Sequence, residues 1–221
     1  MLRFSVLSVL LSAFGSSATA AEHSTFTYKT IGDRELHAFV ISPDGDSASA
    51  GLPALLFYHG GGFTVGSPQA GFDIGEALAE HGIVTIAFEY RFTSDPATMD
   101  QIIADAKSSV RWTREHAAEL GVDRNNVIAS GHSAGGYLAA AVDFQPDRYV
   151  TSDLPPTIFI HGTADDVVPK ERSIQLNERF LGTTSELFLI EGADHFFRAP
   201  RFRTQVADLI HEFIEGLGYL N

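Results

Sequence analysis

Four short stretches carry side chains that could act on one another chemically, and each follows an apolar run. They are "HGGGF" at 59–63, "GHSAGG" at 131–136, "HGTADDVVP" at 161–169 and "EGADHFF" at 191–197. In the second, Ser133 lies between Gly131 and Gly135 with one residue on either side. A serine hydroxyl is a poor nucleophile until a base takes its proton. A tight strand-to-helix turn exposes the oxygen but crowds the backbone, which is what flanking glycines permit. The helix that follows would aim free N–H groups and a partial positive charge at the reaction centre. Gly-x-Ser-x-Gly alone is a weak signal, because a serine can merely start a helix, but a helix cap needs no glycine on either side.

The other three stretches supply what such a serine lacks. Attack on an ester carbonyl develops negative charge on oxygen, and each backbone N–H aimed at it lowers the barrier by about 3 kcal/mol. Gly61 and Gly62 let the chain pass close enough to offer theirs, and Ala134 adds a third. The base must be one of nine histidines. His195 stands in a glycine-containing loop after the last apolar run, free to fold back over a sheet. His132 is turned away from its neighbour's oxygen by the sharp turn, His161 sits at a strand edge, and His59 packs within its own loop. His23 precedes the first strand, and His37, His81, His116 and His211 fall in strand or helix patterns. An acid orients the imidazole and stabilises its charged form. Asp165 is favoured, because Asp166 leads into the next helix and reads as its cap. Asp194 is adjacent to the base and poorly placed to reach its ring.

The elements that must position these loops are legible in outline. "STFTYKTIGDRELHAFVIS" reads as an antiparallel hairpin with a Gly-Asp turn. "PALLFYHG", "IVTIAFEY", "NVIASG", "TIFIHG" and "ELFLIEG" lack strict alternation, as strands buried on both faces do. Between them run helical patterns. One covers 96–120, with Ile103, Ala106, Val110, Thr113, Ala117 and Leu120 on one face, started by Asp95-Pro96 and stopped at Gly121. The closing one carries Val206, Leu209, Ile210, Phe213, Ile214 and Leu217. Alternating strands and helices predict an α/β fold: a mostly parallel sheet covered on both faces. In such sheets reactive groups gather at the carboxyl ends of the strands, where all four loops fall.

With "HGGGF", "AKSSVRWTREHAAELGVDRNNVIASGHSAGGYLAA", "LPPTIFIHGTADDVVP" and "GADHFF" in this order, the chain resembles the α/β-hydrolase superfamily. More narrowly it resembles the HGGG-type esterase/lipase branch, which includes hormone-sensitive-lipase-like carboxylesterases and secreted carbohydrate esterases. The likeness runs from about residue 24 to the C-terminus. It implies a three-layer sandwich and a triad of Ser133, Asp165 and His195, with Gly61, Gly62 and Ala134 as oxyanion donors. It further implies an acyl-enzyme mechanism and neither a metal nor an organic cofactor. One departure concerns the span between nucleophile and acid. Residues 134–164 are fewer than the family usually places there. Either the sheet is one strand shorter, with "TIFIHG" taking the vacant place, or the chain is a deleted and impaired version. Without room for a cap, the site is expected to be open and shallow, suited to short-chain esters, including acetyl esters on carbohydrate.

Composition narrows the alternatives. A chain of 221 residues with 44% hydrophobic and 19% charged side chains can bury the core of a single domain, placed at 21–221. A net charge of −13 argues against nucleic acid as a partner. With no cysteine there is no disulfide, thiolate nucleophile or thiolate metal site. Arg3, the apolar "FSVLSVLLSAFG" and "ATA" at 18–20 form the pattern of a signal peptide over 1–20, too short to span a bilayer. They predict a secreted or periplasmic protein with no stable membrane association after cleavage. Two other readings stay open: an amide hydrolase of the same superfamily, and a catalytically impaired binding protein on its scaffold.

Overall fold

The computed structural model describes residues 21–43, 51–95, 97–143, 156–179 and 185–220; the signal-peptide pattern at 1–20 and Pro96 lie outside them. β1 (Glu22–Ile31) and β2 (Arg34–Ser42) form the expected antiparallel hairpin. Gly32 takes a φ of 60° at its turn, a conformation open to glycine at little cost. The chain continues through β3 (Leu52–Tyr58), α1 (Phe72–Ala79), β4 (Val84–Phe88), α2 (Met99–Glu115), β5 (Val122–Gly131) and α3 (Ala134–Asp143). It ends with β6 (Thr157–Gly162), α4 (Glu171–Arg179), β7 (Ser185–Ile190) and α5 (Pro200–Gly216).

β3 lies between β4 and β5 and is parallel to both. Its alternate side chains feed two cores. Ala54, Leu56 and Tyr58 face a cluster that includes Ile102 and Trp112 of α2 and Leu138 of α3. Leu55 meets Leu78 of α1 and Ile214 of α5 on the opposite side. Burial on both faces explains why these strands are apolar without alternation.

The sheet departs from the continuous one in which "TIFIHG" would take a missing neighbour's place. The strand order is β1-β2-β4-β3-β5, and β6 pairs in parallel with β7 as a separate two-stranded sheet. β6 therefore does not fill the position beside β5. α3 spans ten residues, as the short excursion required, but a right-handed crossover helix permits a neighbouring strand without dictating one.

α2 also differs from its expected bounds. It starts at Thr98, whose hydroxyl accepts from the Gln101 amide while the Gln101 side chain accepts from the Thr98 amide. Asp95 instead accepts from the amide of Phe92 in the preceding loop. The helix stops at Glu115, and Ala117 and Leu120 are buried from the turn that follows it.

The buried face of α2 carries a carboxylate that sequence periodicity conceals. Asp105 is fully buried and paired to Lys29 Nζ at 2.6 Å and Arg91 Nε at 2.7 Å. It joins β1, α2 and the segment after β4. That segment in turn holds the glycine loop, because Thr93 donates its amide to the carbonyl of Phe63 at 2.8 Å. Removing the carboxylate strands two cations, so Asp105→Ala is expected to destabilise the fold by about 3–5 kcal/mol, read by urea denaturation.

Candidate active site

The four loops meet at the carboxyl ends of β3, β5, β6 and β7. Ser133 occupies the turn from β5 into α3 with a φ of 53°, a left-handed conformation that L-residues other than glycine, asparagine and aspartate seldom adopt. Strain of this kind persists where surrounding structure enforces it. The enforcing contacts are visible. A Cβ on Gly131 would strike the backbone of Gly135, and one on Gly135 would strike the carbonyl of Tyr58 at the end of β3. The flanking glycines are thus required by close passage of β3, β5 and α3.

The glycine loop is drawn against this turn. A Cβ on Gly60 would stand 3.1 Å from Cβ of Ser133 and 2.8 Å from Nδ1 of His132. Gly61 has a φ of 121°, and its carbonyl accepts from the amides of Thr64 and Val65. Among the described residues, Gly61, Gly62 and Ala134 give their N–H groups to no backbone carbonyl, whereas Gly135 and Gly136 give theirs to His132 and Ser133. Uncommitted amides flanking a serine hydroxyl are the donors an oxyanion requires. His59 packs within the loop as expected. It is buried, stacked on Tyr90 at 4.3 Å, and burial lowers its pKa below the ordinary histidine value.

Asp165 and His195 come together. His195 Nδ1 lies 2.8 Å from Asp165 Oδ2, and both side chains are buried. The other carboxylate oxygen accepts the amides of Val167 at 2.9 Å and Val168 at 2.7 Å. Burial pushes the Asp165 carboxyl upward, but the Val168 amide, the His195 ring and the Val167 amide together bring it below its ordinary value. It is therefore ionised at neutral pH and accepts the Nδ1–H of His195. Asp166 is exposed and, contrary to the expected cap, α4 begins only at Glu171. Asp194 is engaged with Arg198 at 2.7 Å.

Two histidines set aside on sequence grounds belong to the site. His161 places Nε2 3.1 Å from the same Asp165 oxygen, and its Nδ1 lies 2.7 Å from Ser173 Oγ. His132 does point away from Ser133, but toward His195: its Nε2 donates to the carbonyl of His195 at 2.6 Å, with the two rings 4.9 Å apart. Burial holds His132 below the usual histidine range, so the neutral ring gives its one N–H to that carbonyl. Position within the tight turn was the available signal for His132; nothing in sequence spacing marked His161. Among the described residues, no group of three or more His, Cys, Asp or Glu could hold a metal ion.

The chain is similar to known esterases. The BD-FAE family model matches residues 41–145. Carboxylesterase NlhH of Mycobacterium tuberculosis is 33% identical over 99 residues, 41% of this chain and 28% of its own. The chain spans about a third or less of the length of such curated relatives, 31% in the case of Lipase 2 of a Moraxella species. Solved structures match over nearly full length. Esterase 2 of Thermogutta terrifontis phosphorylated by paraoxon superposes with a TM-score of 0.80 at 31% identity, covering 92% of this chain and 96% of that one. The same enzyme with butyrate bound gives 0.79 at 30% identity, with the same 92% and 96% coverage. The chain belongs to the HGGG-type esterase family of the α/β-hydrolase superfamily.

Proposed function

We propose that the protein is a serine carboxylesterase acting on short-chain esters through an acyl-enzyme, with Ser133, His195 and Asp165 as its triad. The observation that carries this reading is a left-handed serine turn bonded, through His132, to the loop of an imidazole already oriented by a buried carboxylate. His195 Nε2 takes the Ser133 proton as Oγ attacks the ester carbonyl. The tetrahedral oxyanion is received by the amides of Gly61, Gly62 and Ala134, and collapse expels the alcohol, protonated by His195. Water, activated through the same nitrogen, then frees the acid and restores Ser133.

A short acyl preference is supported by the sparse cover over the site among the described residues. The connection from α3 to β6 is too short for a cap domain, and Phe196, beside the base, is 52% exposed. A deep apolar pocket would gain about 0.8 kcal/mol for each buried methylene of the acyl chain, and a shallow one cannot. The butyrate-bound relative is in keeping with this. Acetyl esters carried on polysaccharide fit the same open geometry, and the N-terminal pattern supports export to the periplasm or beyond.

On p-nitrophenyl esters, kcat/KM is expected to be highest from acetyl to butyryl and to fall about tenfold or more by decanoyl. A preference for the long chain would overturn the short-chain reading. A fluorophosphonate probe is expected to label Ser133, and a folded protein left unlabelled would overturn the esterase reading itself.

A further inference from the structure

We infer that His132 is a positioning residue that carries the catalytic base across the break in the sheet; this rests on the proposed triad. Ser133 and the oxyanion amides stand on the five-stranded sheet, whereas Asp165 and His195 stand on loops after β6 and β7, in a sheet that among the described residues is not hydrogen-bonded to the first. In a continuous sheet, backbone ladders fix such loops relative to one another. Here the His195 loop is bonded to its own portion: Ala164 donates to the carbonyl of Ala193, Thr163 donates to that of Ile190, and Gly192 donates to the Thr163 hydroxyl. None of these bonds reaches the turn that carries Ser133.

His132 supplies the missing tie. Its backbone amide donates to Tyr58 at the end of β3, and its Nδ1 lies over Gly60, so the ring is anchored in the first sheet. From there Nε2–H reaches the carbonyl of His195 itself, and the ring also meets Phe196 at 5.8 Å between centroids. Among the described residues the portions are joined elsewhere through α5, whose Ile214 packs with Leu55 and Leu78 and whose Arg203 and His211 meet Asp73 and His81; these contacts lie away from both loops of the site. One side chain, next to the nucleophile, thus holds the base's own backbone.

The test compares His132→Leu, which removes the donor, with His132→Gln, whose amide nitrogen reaches about as far as an imidazole Nε2. On p-nitrophenyl butyrate, His132→Leu is expected to lose about 10- to 100-fold in kcat with KM held within about twofold, as displacement of a catalytic group by about 1 Å does. His132→Gln is expected to recover kcat to within about threefold of the parent. Circular dichroism and thermal melting report folding. If the leucine variant does not fold, His132→Asn takes its place, since its amide stops near Nδ1 and cannot reach the carbonyl. A donor-free variant with the parent's kcat overturns the inference, as does a glutamine variant that falls equally far or fails to fold. Ser133→Ala and His195→Ala separate this from the triad: if both are inactive while His132→Leu is not, only the bridge fails. If they retain hydrolysis, the esterase reading fails as well.

Discussion

Ser133→Ala is expected to lower kcat by about 10⁵- to 10⁶-fold while leaving the protein folded. The loss is that large because the hydroxyl is the only atom in the proposed mechanism that forms the covalent intermediate. What remains, oxyanion donation and substrate binding, sustains about 10³- to 10⁴-fold over water. The fold is spared because the left-handed turn is imposed by backbone packing of Gly131 and Gly135 rather than by the serine side chain. Burst kinetics with p-nitrophenyl acetate, thermal melting and phosphonate labelling check it together. Retained hydrolysis in a folded, unlabelled variant would remove Ser133 from the mechanism.

Asp165→Asn is expected to lower kcat by about 10⁴-fold, and Asp166→Asn by no more than about twofold. The asymmetry follows from the donors around each side chain. Asp165 accepts two backbone amides on one oxygen and the His195 ring on the other. An asparagine can keep its oxygen toward the amides or toward the imidazole, not both. Kept toward the amides, its NH₂ faces Nδ1 and moves the ring's proton to Nε2, which then cannot accept from Ser133. Asp166 is exposed and orients nothing at the site. Loss in the Asp166 variant alone would reverse the assignment. The same carboxylate predicts a pH effect. Its pKa in the folded chain lies below the ordinary 3.8, so its contribution to stability is complete above that value and is lost as pH falls through the lower one. Between pH 5 and pH 3, denaturant midpoints are therefore expected to fall less for Asp165→Asn than for the parent.

Much of the fold was legible because its signals are local. The runs at 126–131 and 186–192 read as strands and fall on β5 and β7, and the spacing from Val206 to Leu217 reads as a helix and falls on α5. α2 was misjudged at both ends for an equally local reason. A capping box at Thr98 outweighed Asp95-Pro96, and apolar spacing continued through Ala117 and Leu120 because both are buried without being helical. Asp105 was invisible, since a buried carboxylate is stabilised only by cations that arrive from β1 and from beyond β4.

The order of chemical side chains along the chain, their placement after apolar runs and the glycines that a crowded turn requires were determined by the sequence itself. Each depends on a few neighbouring residues and on backbone sterics. Tertiary structure alone decided that β6 pairs with β7 and not with β5, and that His161 shares the carboxylate of Asp165 with His195. It also decided that His132, facing away from Ser133, donates to the carbonyl of His195. An apolar run states that a strand is buried but not which edge it will join, because that choice is made by distant parts of the chain competing for the same hydrogen bonds.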